Sequence, residues 1–155
     1  MEFQQGTILK PKGESYNLSN YEEVAQQFSW ESVHSHFSWH KTNKVNMAYE
    51  AIDRHVEEGY GEKQALIYMN GLVTESYSFS DLKKKTDEWA YLLKLQGVKK
   101  GDRVFVFLPK HPDCYIAVLA AIKIGAIVGP LFEAFMEEAI YDRMYDCEAS
   151  VLITN

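Results

Sequence analysis

Between residues 101 and 135 the spacing of apolar positions changes twice, and each change marks an element. Val104-Phe105-Val106-Phe107-Leu108 is an unbroken apolar run behind the turn signal Gly101-Asp102. Five apolar residues without alternation predict a strand covered on both faces, as in a parallel sheet. Pro109 and Pro112 bracket a sharp turn, with Pro112 suited to the first helical position. Tyr115, Val118, Leu119 and Ile122 then repeat at helical spacing up to Lys123, and Gly125 stands where a left-handed residue ends a helix. A second apolar run, Ala126-Ile127-Val128, leads into Gly129-Pro130-Leu131-Phe132. The pattern is that of a β-α-β unit.

The same alternation extends on both sides. Residues 135–146 read as a helix with Met136, Ile140 and Met144 on one face and Glu137 and Glu138 in its first turn, and residues 150–154 read as a further strand. Upstream, residues 65–69 form a strand, Asn70-Gly71 signals a tight hairpin, and residues 73–79 return antiparallel. Ser80 is expected to cap a helix over residues 81–96, with Leu82, Thr86, Trp89 and Leu93 in a stack and Gly97 at its end. Residues 46–55 predict another helix, followed by a turn-rich connection over 57–63. Asn20 is expected to cap a short helix from Tyr21, and residues 1 to about 20 to form a polar arm. The expected fold class is α/β: a partial doubly wound parallel sheet preceded by an aromatic-rich helical arm and a β-hairpin. The expected division is an arm over 1–63 and a partial α/β subdomain over 64–155.

Composition narrows the function classes. A chain of 155 residues with 46% apolar and 25% charged residues is long and apolar enough for a globular core. A formal net charge of −6 argues against a general nucleic-acid surface. Two cysteines, Cys114 and Cys147, are too few for a disulfide framework and are expected to be buried small hydrophobes. The start, Met1-Glu2-Phe3-Gln4-Gln5, has neither basic residues nor an apolar run, so no signal peptide is expected. Residues 115–131 are interrupted by Lys123 and helix breakers, so no membrane span is expected and the cytoplasm is the expected compartment.

The chemistry-bearing residues are few. No G-x-G-x-x-G follows the first parallel strand and no Walker-type loop occurs, which excludes the common dinucleotide and P-loop sites. His34, His36 and His40, with Glu50 and His55 beyond them, have spacings open to a metal, but interleaved aromatics favour structural histidines, and no metal site is assigned. No catalytic serine or cysteine set is legible from spacing, and no catalytic residue is assigned. His111 and the segment Phe132-Glu133-Ala134-Phe135 both follow parallel strands, where open α/β sheets bind ligands. His111 is expected to cap or face solvent, and Phe132 to offer a flat stacking face.

Several of these stretches resemble the AMP-forming acetyl-coenzyme A synthetases of the adenylate-forming superfamily. They are Phe37-Ser38-Trp39-His40, NMAYEAIDRH over 46–55, KGDRV over 100–104, AIKIGA over 121–126 and GPLFEAFMEEAI over 129–140. The KGDRV and KIGA signals are shared across the superfamily, whereas YEAIDRH after a Trp-rich segment points to the acetyl/propionyl branch. The resemblance implies the N-terminal subdomain of the adenylate-forming fold, within an enzyme that uses acetate, ATP, Mg²⁺ and CoA. In that family the phosphate loop, the adenine motifs and the adenylation lysine follow later in the chain, so this stretch alone is expected to bind no cofactor and to be inactive. It also implies that Phe132, Glu133 and Ala134 match a Phe-Gly-Gly-Phe segment that holds the CoA nucleotide, with both glycines replaced here. Uncovered sheet edges and helix faces are expected to favour self-association. The alternatives are a propionyl- or other short-chain acyl-CoA synthetase, or a non-catalytic interaction domain reusing the fold.

Overall fold

The computed structural model describes residues 20–155, so the polar arm expected at the start of the chain lies, up to residue 19, outside the described residues. Three short helices come first: α1 (Tyr21–Gln27), α2 (Trp30–His34) and α3 (Trp39–Thr42). Two π-helical stretches follow, Tyr49–Asp53 and Val56–Tyr60. The hairpin β1 (Gln64–Met69) and β2 (Thr74–Ser78) leads into α4 (Phe79–Leu95). Strands and helices then alternate as β3 (Arg103–Phe107), α5 (Pro112–Lys123), β4 (Ile127–Pro130), α6 (Glu137–Asp146) and β5 (Val151–Thr154).

The parallel sheet has the order β4-β3-β5, with Val104 level with Val128 and Val151, and Phe105 level with Gly129 and Leu152. The chain thus steps from β3 to one neighbour and then crosses to the other. Right-handed crossovers in opposite directions put α5 and α6 on opposite faces. This reversal is the doubly wound pattern, and it makes the carboxyl end of β3 a switch point.

The two faces of β3 are not covered alike. Val104 and Val106 are fully buried, and Val104 packs with Val128, Val151 and Ile153 against Ala120 and Ala121 of α5 and Ala90 and Leu93 of α4. Arg103, Phe105 and Phe107 point the other way and are only half-buried. The expectation of a strand covered on both faces is therefore corrected. Two helices stack on one side, but on the other α6 contributes no buried residue. On that thinner face the Phe105 ring lies over Gly129, where a Cβ would approach it to 2.5 Å. Arg103 ties α6 to the same face, donating from Nε to the Cys147 carbonyl at 2.7 Å and from Nη2 to the Glu148 carbonyl at 2.8 Å. A cation there also meets the negative end of the helix dipole.

Local rules account for most boundaries. Pro112 occupies the first turn of α5, and Gly97 and Gly125 adopt positive φ (87° and 77°) just past α4 and α5. Five expectations need correction. Ser78, not Ser80, caps α4: its Oγ accepts from the Asp81 amide at 3.1 Å, while the Asp81 carboxylate accepts from the Ser78 amide at 2.9 Å. That reciprocal box satisfies two otherwise unpaired donors, so the helix begins two residues earlier than expected. Asn20 stands at the start of α1, but its side-chain amide donates to Glu23 instead of capping the backbone. The helix expected over 46–55 winds with π turns and runs on to Glu58, where Gly59 (φ 90°) breaks it, so the turn-rich connection expected from residue 57 is shortened. Finally, α6 starts at Glu137, leaving Phe135 in the preceding turn, and Cys147 is exposed at its end while Cys114 is half-buried.

The π-helical stretch turns Glu50, Ile52 and Asp53 inward together. Ile52 packs with Leu82 of α4 and Ile116 of α5. Glu50 accepts from the Ser38 amide at 3.0 Å and from the Ser38 hydroxyl, and faces Arg54 at 3.1 Å as an ion pair. Asp53 meets Lys123 at 2.9 Å and Lys83 at 3.2 Å, and Asp87 meets Lys123 at 2.6 Å and Lys83 at 2.9 Å. Two carboxylates and two ammoniums thereby join the π-helical stretch, α4 and α5. At the head of the stretch, Asn46 Oδ1 accepts from the Ala48 and Tyr49 amides while its Nδ2 donates to the Ile122 and Lys123 carbonyls that end α5.

Candidate functional site at the carboxyl end of the sheet

The carboxyl ends of β3 and β4 bring the two segments singled out by sequence to the same end of the sheet. After β4, Leu131 is buried and its amide donates to the Val106 carbonyl at 2.8 Å, which fixes where the chain leaves the sheet. Phe132 follows directly, 61% exposed, so its ring faces solvent at the rim of the sheet. A turn closes behind it, with the Phe135 amide donating to the Phe132 carbonyl at 2.9 Å. Glu133 and Ala134, the two central residues of that turn, are exposed and neither has a positive φ. The turn conformation accordingly does not require glycine, and the substitutions add side chains without straining the backbone.

The Phe132 ring is met edge-on by Phe135, with centroids 5.8 Å apart at 88°. The Arg143 guanidinium of α6 lies 4.2 Å from the Phe135 ring centroid and donates to the Ala139 carbonyl at 2.7 Å. Sequence reasoning placed Phe132 and Phe135 here but missed Arg143, because nothing local in the sequence says where a helical arginine folds back.

At the end of β3, His111 occupies the N-cap of α5. Its Nδ1 accepts from the Asp113 amide at 3.4 Å and lies 3.1 Å from the Asp113 carboxylate, and its ring meets the edge of Tyr68. The capping role expected for it is what the geometry shows. A pocket of about 410 Å³ opens nearby between β1 and the start of α5, lined by Leu66, Tyr68, Met69, Lys110, Pro112 and Tyr115. Burial pushes the Cys114 thiol above its ordinary range, which disfavours the thiolate that a nucleophile needs.

The histidine group does not converge. His34 and His40 have ring centroids 6.2 Å apart with Trp39 beside them, and His55 packs on Phe79. Among the described residues no three His, Cys, Asp or Glu side chains gather as a metal cage. A roomier cleft of about 930 Å³, lined by Lys94, Lys100, Lys123 and Gly125 among others, lies at the opposite end of the sheet. The ends of α4 and α5 border it, with Lys94 in the last turn of α4, and Asp53 and Asp87 share its wall with Lys123.

A family model described as AMP-binding enzyme matches residues 52–155, which cover the hairpin, α4 and the whole parallel sheet. The chain belongs to the AMP-binding enzyme family. Within that family it is 50% identical over 140 residues to an acetyl-coenzyme A synthetase of Bacillus subtilis (strain 168), covering 90% of this chain and 24% of the relative. It is 39% identical over 118 residues to an acetyl-coenzyme A synthetase of Rubrobacter xylanophilus, covering 75% of this chain and 18% of the relative. Its fold is similar to the crystal structure of a Brucella canis acyl-CoA synthetase, with a TM-score of 0.76 and 28% identity over 87% of this chain and 24% of that one. The chain thus spans about a quarter or less of the length of these proteins.

Proposed function

We propose that the chain is the N-terminal part of an acetate–CoA ligase. The observation that carries this reading is the 50% identity, over 140 residues, to an acetyl-coenzyme A synthetase. In such a ligase the acetate carboxylate attacks the α-phosphorus of MgATP, releasing pyrophosphate and leaving acetyl-adenylate. The CoA thiol then attacks the acetyl carbonyl, giving acetyl-CoA and AMP. In this reading magnesium arrives with ATP. The contribution of this chain is a scaffold, plus a stacking face at Phe132 for the adenine of CoA, with Glu133 and Ala134 beside it. We assign the ligase to the cytoplasm; among the described residues no helix is long and apolar enough to cross a membrane.

The reading is tested by ATP–pyrophosphate exchange. The whole ligase containing this chain is expected to exchange with acetate in preference to propionate and butyrate, and the 155-residue chain alone to show no exchange. Exchange by the chain alone, or preference for a longer acid, would overturn the assignment. A second expectation concerns the chain on its own. Among the described residues neither β4 nor β5 has a strand on its outer side, and Met136, Tyr141 and Tyr145 of the α6 region are exposed. Unpaired edges and apolar faces favour self-pairing. Light scattering should show a mass that rises with concentration; a constant monomer mass would count against it.

A further inference from the structure

We infer that Arg143 is a positioning residue for the CoA nucleotide, holding the Phe132 platform through Phe135; this rests on the proposed reading of Phe132 as the adenine-stacking face. A ring as exposed as Phe132, at 61%, has rotamer freedom that binding must remove, and removing it weakens affinity. The structure supplies a brace. Phe135 is half-buried, and its ring meets Phe132 nearly perpendicularly, the arrangement that aromatic quadrupoles favour. The Arg143 guanidinium lies 4.2 Å from the Phe135 centroid, close enough for a cation–π contact, and so limits the motion of that ring. Arg143 is itself held, because its Nη1 donates to the Ala139 carbonyl one turn earlier in α6. Order therefore passes from the α6 backbone through the guanidinium and Phe135 to Phe132. The turn adds a backbone limit, since the Phe135 amide donates a hydrogen bond to the Phe132 carbonyl.

The test uses the whole ligase containing this chain, with Arg143→Leu, Arg143→Lys and Phe132→Ala. CoA is compared with pantetheine, which carries the thiol but no nucleotide, and ATP–pyrophosphate exchange reports the first half-reaction. Arg143→Leu is expected to raise KM for CoA about threefold, the scale of an exposed cation–π contact, with kcat, exchange and KM for pantetheine unchanged. Arg143→Lys keeps a cation without the planar fork and should fall between wild type and Arg143→Leu. It also keeps the measurement available should the leucine variant fold poorly. Phe132→Ala is expected to raise KM for CoA about tenfold, as loss of a base–aromatic stack does. Equal rises for CoA and pantetheine would reduce Arg143 to a structural role and overturn the inference. An unchanged KM for CoA in both Arg143 variants, beside a raised one in Phe132→Ala, would overturn the inference and leave the CoA reading standing. No effect of Phe132→Ala would overturn both.

Discussion

Replacing Lys123 with methionine is expected to destabilise the chain by about 2–3 kcal/mol, the scale of breaking one arm of a mostly buried ion pair. The Lys123 side chain is 10% exposed and faces Asp53, 11% exposed, at 2.9 Å and Asp87 at 2.6 Å. Methionine keeps the apolar stem but removes the ammonium, leaving Asp53 with only the more exposed Lys83 at 3.2 Å. The larger part of the cost is the uncompensated carboxylate and not the lost attraction, because both charges were desolvated on folding. The double variant Lys123→Met with Asp53→Leu removes that carboxylate and should recover most of the loss. Urea unfolding of the two single variants and the double variant forms a cycle that isolates the pair. A cost below about 0.5 kcal/mol for Lys123→Met would class the network with solvent-screened surface pairs.

The pH dependence of this network follows from the directions of its shifts. Burial alone would raise the Asp87 carboxyl, but hydrogen bonds from Lys123 and Lys83 outweigh it and hold the group below its ordinary range. Its contribution is therefore present above its unfolded pKa and lost as pH falls through the folded value. The hydrogen bonds to Asp87 and Asp53 push the Lys83 ammonium upward, so its contribution is present below its unfolded pKa and lost as pH rises through the folded one. Between those limits, across the neutral range, the contributions of Asp87 and Lys83 should stay constant.

What sequence made legible was local or periodic. Pro112, Gly125 and Asn70-Gly71 act within a few residues, and helical spacing located α4 and α5 because those helices bury one stripe. The cap of α4 was also present in the sequence, as Ser78 three residues before Asp81. Ser80, two residues later, also suits an N-cap by composition, and only the reciprocal bond of Asp81 to Ser78 decides between them. The π turns left no such trace, since apolar residues over so short a stretch fit either winding. The uneven cover of β3 was hidden for another reason: an unbroken Val and Phe run reports hydrophobicity without saying which face receives helices. Long-range anchors were invisible in principle. Lys123 and Asp53 are 70 residues apart, and Arg103 reaches Cys147 across 44. At the candidate site, Phe132 was found through position after a strand, whereas the Arg143 brace depends on a side-chain path that only packing defines.

Asn46→Ala is expected to cost about 2 kcal/mol, because one amide serves two helix ends. Its Oδ1 accepts from Ala48 and Tyr49, at 3.1 and 3.2 Å, satisfying donors at the start of the π-helical stretch. Loss of such a cap alone costs about 1 kcal/mol. Its Nδ2 donates to the Ile122 and Lys123 carbonyls at 3.0 and 3.1 Å, and a net hydrogen bond is worth about another 1 kcal/mol. Two variants separate these halves. Asn46→Ser keeps an acceptor for the cap but cannot span to α5, so it should lose about half as much. Asn46→Asp keeps the cap acceptor but aims a carboxylate at two carbonyl oxygens, which repel it and would pull it out of capping position. At neutral pH the aspartate variant should therefore be no more stable than the alanine one, even though Asp is as good as Asn at an ordinary N-cap. Thermal and urea unfolding of the three variants checks the order. Wild-type stability in Asn46→Asp would mean that the bridge to α5 carries no weight.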